Sequence, residues 1–570
     1  MANYIYVTKD ETLKKSIEKY SDSEVIGVDI ETMGKDPLCP RKGEIRLLQI
    51  AVEKSPVMIV DWTKISDEGK QVVKEFLERP TVKVFHNAKF DLKFLFNEGI
   101  NLQEYIFDTY LAAGVLTLGR KNPKLSLESL VEKHLKIKLD KEEQKSNWAR
   151  DPLTDEQLKY AAIDASVLLP LRQKLTAELE NSDLKETAKL EFETIPAIVQ
   201  MELNGVGVDK EKLALLKENL QQEKEACLDS LRAHFPQDIN FNSPNQLLQA
   251  LGEKGIKITS TKHEELSQIA PRYEEVSLIL KHKEIEKQLQ FAKKIPECVD
   301  VSTSKIYSNY FQLGAATGRL SCTDFNLQQV PNRREFRDCF VPDKGNVLVV
   351  ADYSQMQIRI AAEISKDYEM IEAYQRGDDL HKLTASLISG KSVDEVTKEM
   401  RTAAKALNFG MLFGMGAAGL VKYAWSSYNV KLTEQEASEF IEKFFKKYSG
   451  LKHWQKKEGR KKTKESRTLG NRRRLFDEEA RYTQLVNNPI QGSESDILKK
   501  VLSFLPTIFN GTSAKIIACV HDEIIIECEE AEAEKIAVML QVAMEKVGEK
   551  YLKEVPVVAE AIITTSWAEK

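Results

Sequence analysis

Cysteine is sparse: the seven in the chain (Cys39, Cys227, Cys298, Cys322, Cys339, Cys519 and Cys528) are scattered and never form a C-x-x-C pair. That spacing argues against a zinc ribbon or a disulfide framework. Glycine (26) and proline (17) are also few among 570 residues, which removes collagen-like, Pro-rich and low-complexity classes. Without Pro- or Ser-rich linkers, the domains are expected to pack closely. No apolar run approaches the roughly 18 residues a membrane helix needs. The opening MANYIYVTKDE lacks the basic and apolar regions of a secretory signal, so a soluble, unsecreted chain with no membrane partner is expected. An excess of one charge is missing too: 83 Lys and Arg stand against 88 Asp and Glu, a net −5. Bulk charge therefore does not mark a nucleic-acid binder. No repeat with a period of about 20 to 50 residues is visible.

What is present is enough apolar matter for real cores, at 42% hydrophobic and 30% charged. A chain this long exceeds one core, which suggests three or four domains. Apolar runs at Val25 to Ile30, Leu47 to Val52, Val57 to Val60 and Val82 to Phe85 alternate with helical patterns and predict an α/β domain ending near residue 185. Residues 186–304 read as a polar, Lys/Glu-rich helical arm, with a break at Phe241-Asn-Ser-Pro-Asn245 where Ser243 precedes the next helix. Strands return at Asn346 to Ala351, and again at Lys515 to Val520 and Ile524 to Glu527 on either side of His521-Asp522-Glu523, which predicts a hairpin. Between Leu451 and Phe476, eleven cations (Lys452, Lys456, Lys457, Arg460, Lys461, Lys462, Lys464, Arg467, Arg472, Arg473, Arg474) face only Glu458 and Glu465. Alone this is a solvated charge run; beside phosphate chemistry it is expected to contact a DNA backbone.

In Val25-Ile-Gly-Val-Asp-Ile-Glu31 the strand period of two puts Asp29 and Glu31 on one face. His86-Asn-Ala-Lys-Phe-Asp91 adds a third acid just past a strand, and Tyr160-Ala-Ala-Ile-Asp164 sets a tyrosine and a fourth acid one helical turn apart. Four converging carboxylates repel, which Mg²⁺ or Mn²⁺ relieves because such ions favour oxygen ligands. Two ions about 3.5–4 Å apart activate a water and stabilise the leaving oxygen of a phosphodiester. Together and in order, these segments resemble the DEDD-type 3′→5′ exonucleases of the tyrosine variety. The resemblance spans about residues 1 to 180 and implies metal ligation by Asp29, Glu31, Asp91 and Asp164, with Tyr160 orienting the water.

Three further segments carry chemistry. A buried strand in Val349-Val-Ala-Asp-Tyr-Ser-Gln-Met-Gln-Ile-Arg359 delivers Asp352 just before a helix. The hairpin tip delivers Asp522 with Glu523 beside it; if strand and hairpin are sheet neighbours, Asp352 and Asp522 can bridge two Mg²⁺ ions. Arg401, Lys405, Phe409 and Phe413 recur every four residues and form a drifting stripe on one helix face. The cations suit a triphosphate and the rings suit stacking on a base or sugar. Read alone, the stripe is an amphipathic helix with its rings in a core.

In this order the three segments resemble motifs A, B and C of family A DNA polymerases. Gln312-Leu-Gly-Ala-Ala-Thr-Gly-Arg-Leu-Ser321, Asn326-Leu-Gln-Gln-Val-Pro331, Asp379-Leu-His-Lys-Leu-Thr384 and Asn487 with Gln491-Gly492 extend the likeness over nearly the whole chain. It implies an α/β multidomain fold, with an RNase H-like exonuclease domain (1–185) before a right-hand polymerase domain (186–570). Within the latter, thumb is expected at about 206–304, palm at 305–375 and 480–570, and fingers at 376–479. It implies metal ligation by Asp352, Asp522 and Tyr353, with Glu523 and Lys405 as catalytic groups. Nucleotide contacts fall to Arg401, Lys405, Phe409, Phe413, His381 and Gln357, and DNA contacts to Arg319, Asn326, Gln328, Asn487, Gln491 and His521. Expected partners are primer-template DNA, dNTPs and a single-stranded 3′ end, with two ions per site and a monomeric chain. The expected location is the cytoplasm (nucleoid), a host cytoplasm for a viral source, or an organelle matrix after loss of a targeting segment.

Three positions depart from the family pattern. Gln357 stands where Glu is usual and Phe413 where Tyr is usual, a pair that in the family hydrogen-bonds and walls off the sugar's 2′ position. Thr483 stands where many members have Arg. A 5′-nuclease domain is absent, so primer or flap removal is expected to fall to another protein. A nuclease of the RNase D type with a helical appendage would leave residues 305–570 unexplained. An inactive polymerase platform is opposed by intact Asp352, Asp522, Lys405 and Arg401.

Overall fold

The computed structural model describes residues 3–428 and 430–569. Its N-terminal part is built on a sheet of six strands: β1 (Tyr4–Val7), β2 (Val25–Gly34), β3 (Gly43–Ala51), β4 (Val57–Asp61), β5 (Val82–Phe85) and β6 (Ile106–Asp108), ordered β1-β4-β3-β2-β5-β6. β2 lies inside the sheet, antiparallel to β3 and parallel to β5. Ile26, Val28 and Ile30 enter the core on one face of β2. Gly27 lies on the other, where a Cβ would come within 3.0 Å of the Ala165 carbonyl. The bare glycine lets the helix Asp155–Ser166 lie directly on β2, so Asp29 and Glu31, in phase with Gly27, face that helix. The helix is set by a capping box in which Thr154 and Gln157 exchange side-chain-to-backbone bonds of 3.1 and 3.0 Å.

The four strands read from the sequence are present, while β1 and β6 were not anticipated. After the long helix Lys185–Asn204 comes the helical arm, with helices at Lys210–Arg232, Pro244–Glu253, His263–Ile269 and Glu274–Cys298. The Ser243 hydroxyl caps the second of these as expected, with Pro244 opening the helix. Leu231, Leu247, Leu251, Leu266 and Ile279 give the arm a small core of its own, against which Trp425 packs.

A four-stranded antiparallel sheet forms the floor of the C-terminal part, ordered Lys515–Val520, Glu523–Glu529, Asn346–Tyr353, Ala559–Thr564. Val349, Val350, Ala351, Ile524 and Ile526 are fully enclosed or nearly so, which anchors both inner strands in the largest core. The helices Leu380–Ser389, Lys398–Leu412, Ala417–Tyr428 and Glu434–Lys447 rise beside this floor. Among the described residues no helix is long and apolar enough to cross a membrane.

The basic segment 451–476 divides along its length, with Arg467 and Arg472 to Arg474 turned into the protein and the earlier cations on the surface, and this corrects the expectation that all of it faces DNA. Arg472 is fully buried, with Glu191 and Asp496 each at 2.6 Å, and Lys499 joins Glu191 at 2.6 Å. Arg473 donates to the Leu116 carbonyl (3.2 Å) and Arg467 to that of Ser182 (3.1 Å). Arg474 lies 4.9 Å over the Phe476 ring. Lys452, Lys456, Lys457, Arg460, Lys462 and Lys464 remain on the surface. The flat guanidinium fork suits several buried acceptors at once, whereas an ammonium is better left in water. Gly318 has φ +85°, and a Cβ there would lie 2.6 Å from Arg472, so the turn before Arg319 requires glycine.

Candidate active sites

Asp29, Glu31, Asp91, Tyr160 and Asp164 line one cleft of about 1560 Å³, whose far wall is formed by Tyr307 to Gly314 of the C-terminal part. The sequence scattered these five residues over 135 positions, and the fold brings all of them together. A register shift between Glu31 and Thr32 bends β2 beside the acids. Asp91 comes in on the first turn of the helix Lys89–Asn97. Burial raises the carboxyls of Asp29, Glu31 and Asp91 well above the ordinary carboxylate range; next in size is the charge of Asp164 on Asp29, and of Asp29 on Glu31 and Asp91. The cluster thus carries more negative charge than Lys141, which lowers Asp29 and Glu31, offsets.

Two residues of this cleft went unnoticed in the sequence. Asp108 is buried at the end of β6 and accepts from the backbone N–H groups of Asn87 (3.0 Å), Ala88 (2.9 Å), Tyr110 (2.8 Å) and Leu111 (3.2 Å). It ties the turn leading to Asp91 to the next helix, and its strand-end Asp before a helical run was the available signal. Lys141 extends its ammonium to Asp164 (2.7 Å) and the Tyr160 hydroxyl (3.3 Å). No spacing pattern flags a lone lysine in a polar stretch.

Among the described residues no three acids are drawn together as a closed ligand set; the ammonium of Lys141 supplies cationic charge in their midst. A cation where carboxylates converge, with three of them pushed toward protonation, fits a site built for divalent ions. Lys141→Met is expected to lower the Mg²⁺ concentration giving half-maximal exonuclease activity several-fold, because a competing charge is removed. A magnesium titration on a single-stranded oligonucleotide measures this, and an unchanged midpoint would refute the competition.

In the second site, Ala351 pairs with Ile524 across the two inner strands, so Asp352 and Asp522 emerge side by side at the same edge. Burial, with Glu494 and Asp352 nearby, holds the Asp522 carboxyl well above its usual range. His521, with φ +59°, makes the tight turn that presents Asp522. Glu523 corrects an expectation: it opens the strand after the turn that carries Asp522, and its carboxylate is bound by the Trp567 indole N–H and by Arg337 at 3.4 Å. It fastens the C-terminal segment rather than facing the cleft. The Tyr353 hydroxyl donates to the Met544 carbonyl at 2.7 Å, which leaves its main-chain carbonyl as the group it can offer a cation.

Gln355, in the left-handed region at φ +56°, donates to Asp379 at 3.3 Å, and Asp379 accepts from Arg401 at 2.6 Å. This chain of contacts brings the finger stripe to the carboxylate edge. Lys405 is exposed. Phe409 and Phe413 stack on each other with centroids 6.2 Å apart, and His381 lies 6.1 Å from Phe409. Burial lowers the His381 ring to about 4, and its Nδ1 is held by Asn408 at 2.8 Å. The ring is therefore a neutral imidazole near pH 7.

On the template side, the Asn326 carbonyl oxygen accepts from the Gln328 N–H at 3.0 Å, so half of that side chain caps its own turn. Gln328 and Gln491 are half-buried, the Asn487 Oδ1 is buried without a protein partner, and His521 is exposed. Arg319 bonds Glu494, which also accepts from the Gln357 Nε2 at 3.1 Å. Glu494 was overlooked, although Asn487, Gln491 and Glu494 recur at i, i+4 and i+7 on one helix face.

Residues 210–569 match the family described as DNA polymerase family A, and residues 4–180 match a 3′-5′ exonuclease family. The chain is 34% identical to DNA polymerase I of Aquifex aeolicus over the full length of both. It is 29% identical to DNA polymerase I of Pseudomonas aeruginosa, covering 97% of this chain and 64% of that protein. Among solved structures, the POL domain of Pol1 from M. smegmatis, in complex with DNA primer-template and dNTP, superposes with a TM-score of 0.84 at 25% identity over 98% of each chain. The chain therefore belongs to DNA polymerase family A and is a DNA polymerase carrying a 3′–5′ exonuclease domain.

Proposed function

We propose that the chain extends a primer 3′-OH with dNTPs at the Asp352–Asp522 edge and removes misinserted nucleotides at the Asp29–Glu31–Asp91–Asp164 cluster. The observation that carries this reading is the continuous contact from Asp352's strand through Gln355 and Asp379 to Arg401, which sets a cationic stripe against a carboxylate edge. Asp352, Asp522 and the Tyr353 carbonyl would hold two Mg²⁺ or Mn²⁺ ions, which when bound lower the pKa of the attacking hydroxyl and offset charge on the leaving pyrophosphate. Arg401 and Lys405 grip the triphosphate with charge-assisted bonds that strengthen as it leaves. Neutral His381 holds Asn408 and the ring of Phe409, whose stack with Phe413 offers a surface to base or sugar. Arg319, Gln328, Asn487, Gln491 and His521, with the free amide of Asn326, face the minor groove of the nascent pair, where acceptors are shared by correct pairs.

In the N-terminal site Tyr160 orients the attacking water and the four acids hold the cations. The helical arm is read as thumb, 305–375 with 480–570 as palm and 376–479 as fingers, within a polymerase domain beginning near 186. Partners are primer-template DNA, dNTPs and a single-stranded 3′ end, and the chain acts as a monomer.

Primer extension tests this directly. With a 5′-labelled primer-template, four dNTPs and Mg²⁺, full-length product is expected, and shortening of the primer when dNTPs are withheld. Shortening without any extension would remove the polymerase assignment.

A further inference from the structure

The polymerase edge contains a carboxylate that the mechanism above leaves without a task. Glu494, on the helix Tyr482–Ile508, is 4% exposed, and a single oxygen of it accepts from both Arg319 and Gln357. Its two partners come from elements far apart in sequence: the turn after Gly318, and the first turn of the helix that follows Asp352's strand. Its charge also acts on Asp522, ahead of that of Asp352. Glu494 therefore stands at the junction of three elements that meet the nascent pair, at the carboxylate end of the site rather than at the Arg401–Lys405 end.

The state of Gln357 gives this junction a direction. Its Nε2 is committed to Glu494 at 3.1 Å, while its Oε1 is buried without a protein partner. A carboxylate can only accept, so the amide must turn its N–H₂ toward Glu494 and its carbonyl away. The unpaired carbonyl is an acceptor in a dry place, where a lone acceptor is costly and a donor from a ligand is favoured.

We propose that Glu494 is a positioning residue of the polymerase site, whose negative charge orients Gln357 and Arg319 and can be carried by position 494 or position 357 but not by both. A carboxylate at 357 would stand about where the amide now donates. With Glu494 in place, two like charges would meet at hydrogen-bond range. With Glu494 made neutral, the same carboxylate would accept from an amide at 494, and the bond would be kept with its polarity reversed.

This rests on the function proposed above, and the two fail separately: the unmodified chain must extend primers for that function to stand, whatever the variants do. The experiment compares Q357E, E494Q and the double variant Q357E/E494Q in full-length protein. The readouts are kcat/KM for dNTP, the ratio of dNTP to rNTP incorporation, and the thermal midpoint in EDTA. Degradation of a single-stranded 3′ end serves as the folding control and is expected to be unchanged in all three. Each single variant is expected to lose about tenfold in kcat/KM and to alter the sugar ratio, and Q357E to melt lower than the parent. The double variant is expected to return to within about threefold of the parent and to recover its melting temperature. A double variant as impaired as the worse single one, or a Q357E protein indistinguishable from the parent, would overturn the proposal. A purely structural anchor for Arg319 predicts loss in E494Q without rescue by Q357E.

Discussion

Asp522→Asn is expected to abolish primer extension while leaving degradation of a single-stranded 3′ end intact, and Asp29→Asn with Glu31→Gln to do the reverse. The sites share no residue, and each acid acts on its own cleft. Charge stabilisation at such a site supplies several kcal/mol of barrier lowering, and ~4 kcal/mol corresponds to about a thousandfold in rate. Losses of that size or more are expected in one activity only. Extension and degradation measured on the same preparations decide the matter. A variant that stays folded, by its circular dichroism and melting, yet loses both activities would show that the clusters act as one site.

The largest expected stability effect lies away from both clefts. Glu191→Ala leaves the buried cations Arg472 and Lys499 without the acid they share. Removing one partner from a buried ionic group costs about 3–5 kcal/mol, because the remaining charges stay out of water uncompensated. That is a large fraction of the 5–15 kcal/mol typical of a domain, and a drop of several degrees in the calorimetric transition is expected. Replacing all four charged members together, Arg472→Met and Lys499→Met with Glu191→Leu and Asp496→Leu, is expected to be far milder than Glu191→Ala, since an apolar cluster of similar volume has no charge to strand. If Glu191→Ala melts with the parent protein, the cluster is not a fastening of the fold.

The carboxylate constellations were legible in the sequence because period two in strands and a four-residue step in helices decide which side chains share a face. Asp29 with Glu31, and Tyr160 with Asp164, follow from those periods alone, and the apolar runs around Asp352 and Asp522 announced strands. Asp522 sits in the turn while Glu523 opens the strand after it and binds Trp567 and Arg337, so adjacency in the chain misled. β6 escaped because three residues make no pattern, whereas β1, as long as β5, was legible and was missed. The arginines of segment 451–476 escaped for another reason: their partners, Glu191, Leu116 and Ser182, lie hundreds of residues away, and no local rule separates an arginine that will be buried from a lysine that will not. Lys141 and Glu494 are single charges whose meaning depends on the groups that tertiary structure brings to them.

The seam between the two halves carries a further consequence. Leu475 donates its backbone N–H to the Leu118 carbonyl at 2.8 Å, Arg120 holds the Phe476 carbonyl at 3.0 Å, and Lys89 reaches Glu202 at 2.7 Å and the Tyr310 carbonyl at 2.5 Å. Halves laced by main-chain bonds and ion pairs do not swing relative to each other to hand over a strand, so the nucleic acid must do the travelling. On the function proposed above, a 3′ end crossing from one cleft to the other would have to unzip from its complement, and each step of well-stacked duplex resists by about 1.4 kcal/mol. A terminal mismatch has already forfeited much of that resistance. The discrimination between right and wrong ends is then set by how readily the duplex frays, and the protein contributes a fixed distance over which fraying must occur.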